Sequence, residues 1–131
     1  MELVNILAAA AGSWVFGAIW YMSLSKPWME AAGIPRDENG RPQGNGSPMP
    51  FVLSAICMII VAGMMRHIFA MAAIDTVGKG LMSGLGIGLF FIAPWIMINN
   101  AYGMKPFRLT LIDGGYATIG CTIIGVILTL F

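Results

Sequence analysis

A chain of 131 residues, 58% hydrophobic and only 10% charged, cannot cover a water-facing surface, because soluble domains use about 25% charged residues. Its net charge of +1 at pH 7 supplies neither a basic face for nucleic acid nor a polybasic patch for anionic lipid. A single histidine excludes multi-histidine metal sites.

The first apolar run, Leu3 to Ser25, holds 23 residues without a charge, and about 20 suffice for a helix to cross a bilayer. A helix over about 3–24 is predicted. Glu2 and the absence of Lys or Arg before the run fit a cleavable signal poorly. A polar piece follows from Lys26 to Pro50. It opens with SKPWMEAAG, in which Ser25 is placed to cap a short helix and Gly33 to close it. Trp28 and Met29 suggest that this turn lies on the membrane surface. IPRDENGRPQGNGSPMP then reads as an irregular loop, and Ser47 with Pro48 marks the start of a second helix.

That second segment runs from Phe51, past Arg66 and His67, to Ile74, a helix over about 51–74. Asp75 is placed to cap the third helix, expected over about 78–101, within the 25 uncharged residues from Gly80 to Met104. Tyr102 to Arg108 forms the next connection, with Gly103 for the turn and Pro106 at the start of a fourth helix over about 107–131. Two short connections imply antiparallel neighbours. The expected fold is all-α: an integral membrane four-helix up-down bundle, with residues 1–131 as a single transmembrane domain and 26–50 as a cytoplasmic loop.

Orientation follows from Lys and Arg in the connections. Lys26, Arg36, Arg41, Lys105 and Arg108 share one side, against Lys79 and Arg66 on the other. Both termini are therefore expected outside the cytoplasm. Trp20, Tyr21, Trp28, Trp95, Tyr102, Phe107 and Tyr116 fall near the same cytoplasmic face as an interfacial belt.

Small residues recur every fourth position in three segments: Gly80, Gly84 and Gly88; Ala9, Ser13 and Gly17; Ala117, Cys121 and Gly125. Such rows let helix backbones approach closely in lipid, either inside the bundle or along a homo-oligomer seam. Cys57 and Cys121 read as small hydrophobes within helices. Arg66 and His67 interrupt the second helix after an uncharged stretch of about 22 Å at 1.5 Å per residue. Arg66 either lines an internal ion path or reaches outward to the interface. Met64, His67 and Met71 share a face that could attract copper(I), but eleven methionines spread along the chain favour packing.

Asp113 is the one acid inside the fourth segment. It is placed to meet the helix dipole or Arg108. It could also join Asn99, Asn100, Tyr116 and Trp20 in a polar pocket toward which Pro94 bends the third helix. Structural network and ligand site are both open readings of that group. No nucleophile elbow, zinc-binding HExxH, phosphate loop or CxxC occurs, so no catalytic residue, cofactor or metal is assigned.

GAIWYMSLSKPWMEAAG at Gly17 to Gly33, GLMSGLGIGLFFIAPWIMINNAYGMKPFRLTLIDGGY at Gly80 to Tyr116, and the closing GVIL resemble the small membrane proteins grouped as domain of unknown function 1761. The lead-in SLSKPW is shorter than that family's usual form. Asp113 stands where an asparagine is usual. The resemblance implies four spans in a bacterial membrane and carries no activity. The expected function is structural or accessory, as a homo-oligomer or a subunit of a larger membrane complex. The alternatives are a small transporter or channel, and, more distantly, a membrane enzyme acting on a lipid or quinone.

Overall fold

A computed structural model describes residues 2–34 and 48–131, and among these the chain is helix and turn with no strand. The helices are α1 (Glu2–Ser23), α2 (Ser25–Ala32), α3 (Met49–Met71), α4 (Val77–Gly86), a π-helical segment (Ile87–Ile92), α5 (Ala93–Tyr102) and α6 (Phe107–Leu130). Among the described residues, four helical stretches are long and apolar enough to cross a membrane: α1, α3, the continuous third stretch Val77–Tyr102, and α6.

Helix ends depart from the expectation at four points. Ser25 is the first residue of α2 and makes no capping bond; the capping position is Leu24. Gly33 does close α2, at φ 73°, with the Ile34 N–H donating to the Met29 carbonyl. On the helix it closes, Met29 and Ala31 are buried against the rest of the chain. Ser47 lies outside the described residues, and Pro48 takes the capping position of α3. The cap of α4 is Thr76, whose Oγ1 accepts from the Lys79 N–H at 3.2 Å. Asp75 pairs instead with the Lys79 ammonium at 3.5 Å. Gly103 keeps φ −78°, and Met104 adopts the left-handed conformation at φ 56°.

The third stretch widens rather than simply bending before Pro94. Proline has no N–H and its ring crowds the carbonyl four residues back. The Ala93 N–H accordingly donates to the Gly88 carbonyl, five residues back, and the turn Ile87–Ile92 becomes π-helical.

Helix α6 is the centre of the packing, with α1 on one side and the third stretch on another, while α3 lies mainly on α1. Asn5 bonds the Ile127 and Phe131 carbonyls, and Trp20 bonds the Ile112 carbonyl. Residue numbers rise along α1 as they fall along α6, so the two run antiparallel. The third stretch does the same: Gly80 faces Gly125 and Thr129, Gly84 faces Cys121, and Gly88 faces Ala117 and Thr118. Hydroxyls that would otherwise need a partner on this face, Thr118, Thr122 and Thr129, bond carbonyls one turn back on α6.

These glycines are required by space. A Cβ at Gly84 would fall 3.0 Å from the Cys121 carbonyl carbon and 3.1 Å from the Thr122 Cα. One at Gly88 would fall 2.5 Å from the Thr118 Cα. The row on α1 is also turned inward: Ala9 is buried, Ser13 lies beside Gly120, and Gly17 lies beneath the Tyr116 ring. The core gathers Ala9, Ala10, Ala62, Met65, Phe69, Cys121, Ile124 and Leu128. Outside it, α3 presents Ile56, Ile60 and Met64, and the third stretch presents Met82, Phe90, Phe91 and Trp95.

Candidate functional site

Polar side chains gather at the two ends of this packing. At the α2 end, Trp20 and Tyr21 are consecutive on α1 and so diverge by about 100°, which lets each reach a different group on α6. The Trp20 Nε1–H donates to the Ile112 carbonyl at 2.9 Å, and the Tyr21 hydroxyl donates to Asp113 Oδ1 at 2.6 Å. The short second bond is of the charge-assisted kind if the carboxylate is ionised. Aromatic rings pack around it. Tyr21 meets Trp28 edge-on at 5.8 Å and Tyr116 edge-on at 5.4 Å, and Phe16 lies against Trp20 at 5.6 Å and Tyr116 at 6.1 Å. Pairs at these separations stabilise beyond their buried area.

The pocket expected from sequence is divided. Asn100 Nδ2 donates to Thr110 Oγ1 at 3.1 Å, one turn before Asp113 on α6, and Asn99 is exposed. Among the described residues no hydrogen bond joins either asparagine to Asp113, Tyr116 or Trp20. Tyr116 reaches the Met58 sulfur of α3 at 3.5 Å. Arg108 is exposed and makes no ion pair with Asp113. A separation of five residues turns the two side chains about 140° apart on a helix. Asp113 is also the seventh residue of α6, beyond the first turn where the helix dipole acts.

The same end is tied together by Lys105, whose ammonium donates to the Ala32 carbonyl at 2.9 Å and so caps α2 from the α5–α6 turn. The opposite end is organised by Arg66 and Asn5. Arg66 Nη1 donates to the Leu128 carbonyl at 3.3 Å, and Nε stands 4.0 Å from Glu2 Oε1. The Arg66 side chain is 31% exposed, and His67 beside it is exposed. Asn5 is buried, with both its bonds made by Nδ2. Between the ends, Trp14 joins α1 to α3 through Ser54 Oγ at 2.9 Å.

Two of these residues escaped the reading of the sequence. Tyr21 appeared there only as a belt aromatic, although it follows Trp20 directly and so projects toward a second neighbour. Asn5 carried a signal as well, as the one amide side chain in the first apolar run. No group of three or more His, Cys, Asp or Glu is placed to hold a metal among the described residues.

A family model described as protein of unknown function (DUF1761) matches residues 4–129. The chain belongs to this family. No curated protein and no solved structure matches it. In this DUF1761 chain, the residue at position 113 accepts the bond from the Tyr21 hydroxyl. An asparagine there would offer the same hydroxyl a carbonyl oxygen, so what Asp113 adds is a titratable group.

Proposed function

We propose that the chain is a multi-pass protein of a bacterial cytoplasmic membrane, an up-down bundle with both termini outside the cytoplasm, serving as a non-catalytic accessory subunit. The observation that carries this reading is where the donors of Trp14, Trp20, Tyr21 and Asn100 end. Tyr21 with Asp113, Trp20 with Ile112, Asn100 with Thr110 and Trp14 with Ser54 all close within the chain. In hydrocarbon such pairing holds helices together, because an unpaired polar group is costly there. The broad apolar faces of α3 and of the third stretch find no partner among the described residues.

The glycine and small-residue rows are occupied inside the chain. Association with a second copy or a larger complex would therefore use the Ile56, Ile60 and Met64 face or the Phe90, Phe91 and Trp95 face. The orientation draws support from the Lys105 bond to Ala32, which puts Lys26 and Lys105 at one end, away from Lys79 and Arg66. Arg36 and Arg41, which also entered the charge comparison, lie outside the described residues.

Photo-crosslinking groups at Ile60 and Phe90, introduced one at a time in native membranes, test the reading. A discrete adduct with a second polypeptide or second copy from either face supports it. A chain that stays monomeric from both contradicts it. A second reading, transport, is favoured by one observation: a π-helical segment and an intramembrane acid, features often tied to function, lie on the neighbours α6 and third stretch. Alanine at Asn100 and Asp113 separates the two readings. Lost solute flux with assembly intact supports transport, and lost assembly supports the accessory role.

A further inference from the structure

At the end of the molecule away from α2, a groove of about 460 Å³ opens between the last turns of α3, the α3–α4 turn and the end of α6. Its walls are apolar: Phe69, Ala70, Ile74 and Leu128. Arg66 also lines it. Of the five N–H groups a guanidinium carries, Arg66 uses one among the described residues, to the Leu128 carbonyl. Its Nε is buried without a hydrogen bond, and the carboxylate paired with it among the described residues, Glu2, is largely exposed and 4.0 Å away. The groove's own carboxylate, Asp75, is drawn to Lys79 at 3.5 Å. The result is an under-satisfied cation at the head of an apolar slot.

From this juxtaposition we propose that the groove holds a glycerophospholipid, its phosphate on the Arg66 guanidinium and its acyl chains along Phe69, Ala70 and Leu128. The charges are complementary. A guanidinium fork matches phosphate oxygens two at a time, and at the hydrocarbon border such a pair is weakly screened. The arrangement also accounts for an arginine placed before the end of an apolar helix: its stem lies in the slot while its head meets the phosphate layer. The inference rests on the membrane reading above.

The test uses the full chain, extracted in mild detergent and stripped of lipid, and follows its unfolding midpoint. Phosphatidylglycerol should raise the midpoint of the wild type, while a diacylglycerol with the same chains, lacking the phosphate, should not. Arg66→Gln should weaken phosphatidylglycerol binding about tenfold or more, the loss expected for a charge-assisted pair. Ala70→Trp, which fills the slot and leaves Arg66 in place, should weaken it as well, and serves if Arg66→Gln does not fold. Equal shifts from both lipids, or equal shifts in the wild type and both variants, overturn the proposal. A chain recovered in the soluble fraction would instead overturn the membrane reading on which it depends.

Discussion

Gly84→Ala tests the packing between α4 and α6 with a single methyl group. In α4 this position faces α6 backbone: the new Cβ would lie 3.0 Å from the Cys121 carbonyl carbon and 3.1 Å from the Thr122 Cα, with the Cys121 oxygen closer still. Backbone cannot turn aside as a side chain can, so the helices must separate. Overpacking of this kind costs about 2 kcal/mol, and separation also loosens the neighbouring approaches at Gly80 and Gly88. Gly63→Ala is the matched control, because a Cβ there meets nothing within 4 Å. Replacing a helix-interior glycine without a clash stabilises by roughly 0.5–1 kcal/mol. The two variants should therefore differ by about 3 kcal/mol in stability, with opposite signs relative to the wild type. Circular dichroism in one detergent, with unfolding by heat or by titrated sodium dodecyl sulfate, measures the difference. Equal midpoints for Gly84→Ala and Gly63→Ala would refute the seam.

Tyr21→Phe and Asp113→Ala, made singly and together, should show a coupling of about 1–2 kcal/mol in a double-mutant cycle of the same unfolding measurement; additive losses would mean that the 2.6 Å bond contributes nothing of its own. Met104→Gly should raise the unfolding midpoint by the equivalent of about 1 kcal/mol, since a left-handed φ of 56° is unfavourable for a residue with a side chain. Thr76→Ala should lower stability by about 1 kcal/mol through loss of the α4 cap, whereas Asp75→Ala should leave the midpoint unchanged, its ion pair with Lys79 being exposed. Equal effects at 75 and 76 would return the cap to Asp75.

What the sequence disclosed was governed by period and solvent. Uncharged runs mark the four long helical stretches within a turn of their ends, because length and apolarity alone decide them. The small-residue rows were legible as surfaces for close approach. Which helix they meet was not, since spacing says nothing of the partner; Gly80, Gly84 and Gly88 are matched to Gly125, Cys121 and Ala117 only by the antiparallel register. Turn chemistry failed by one residue in two places. Asp75 and Thr76 are both competent caps, and backbone direction chose Thr76. Gly103 became the residue that caps α5, at φ −78°, because the helix runs one residue further than expected, to Tyr102, and the left-handed position passes to Met104. The polar pocket grouped residues by depth along the helices and ignored azimuth. Asn100 turns to Thr110, while Asp113 turns to α1. The π-helical turn answers Pro94 through hydrogen-bond geometry that no apolar pattern records.

The central claim, that these helices cross a bilayer with α2 and the α5–α6 turn on one face, is tested most directly by single-cysteine labelling. In a background with Cys57→Ser and Cys121→Ala, Lys26→Cys, Lys105→Cys and Lys79→Cys are each exposed to an impermeant thiol reagent, in intact cells and in inverted vesicles. The account predicts that Lys26→Cys and Lys105→Cys label only in inverted vesicles and Lys79→Cys only in intact cells. Labelling of Lys26→Cys and Lys105→Cys from opposite faces would contradict it.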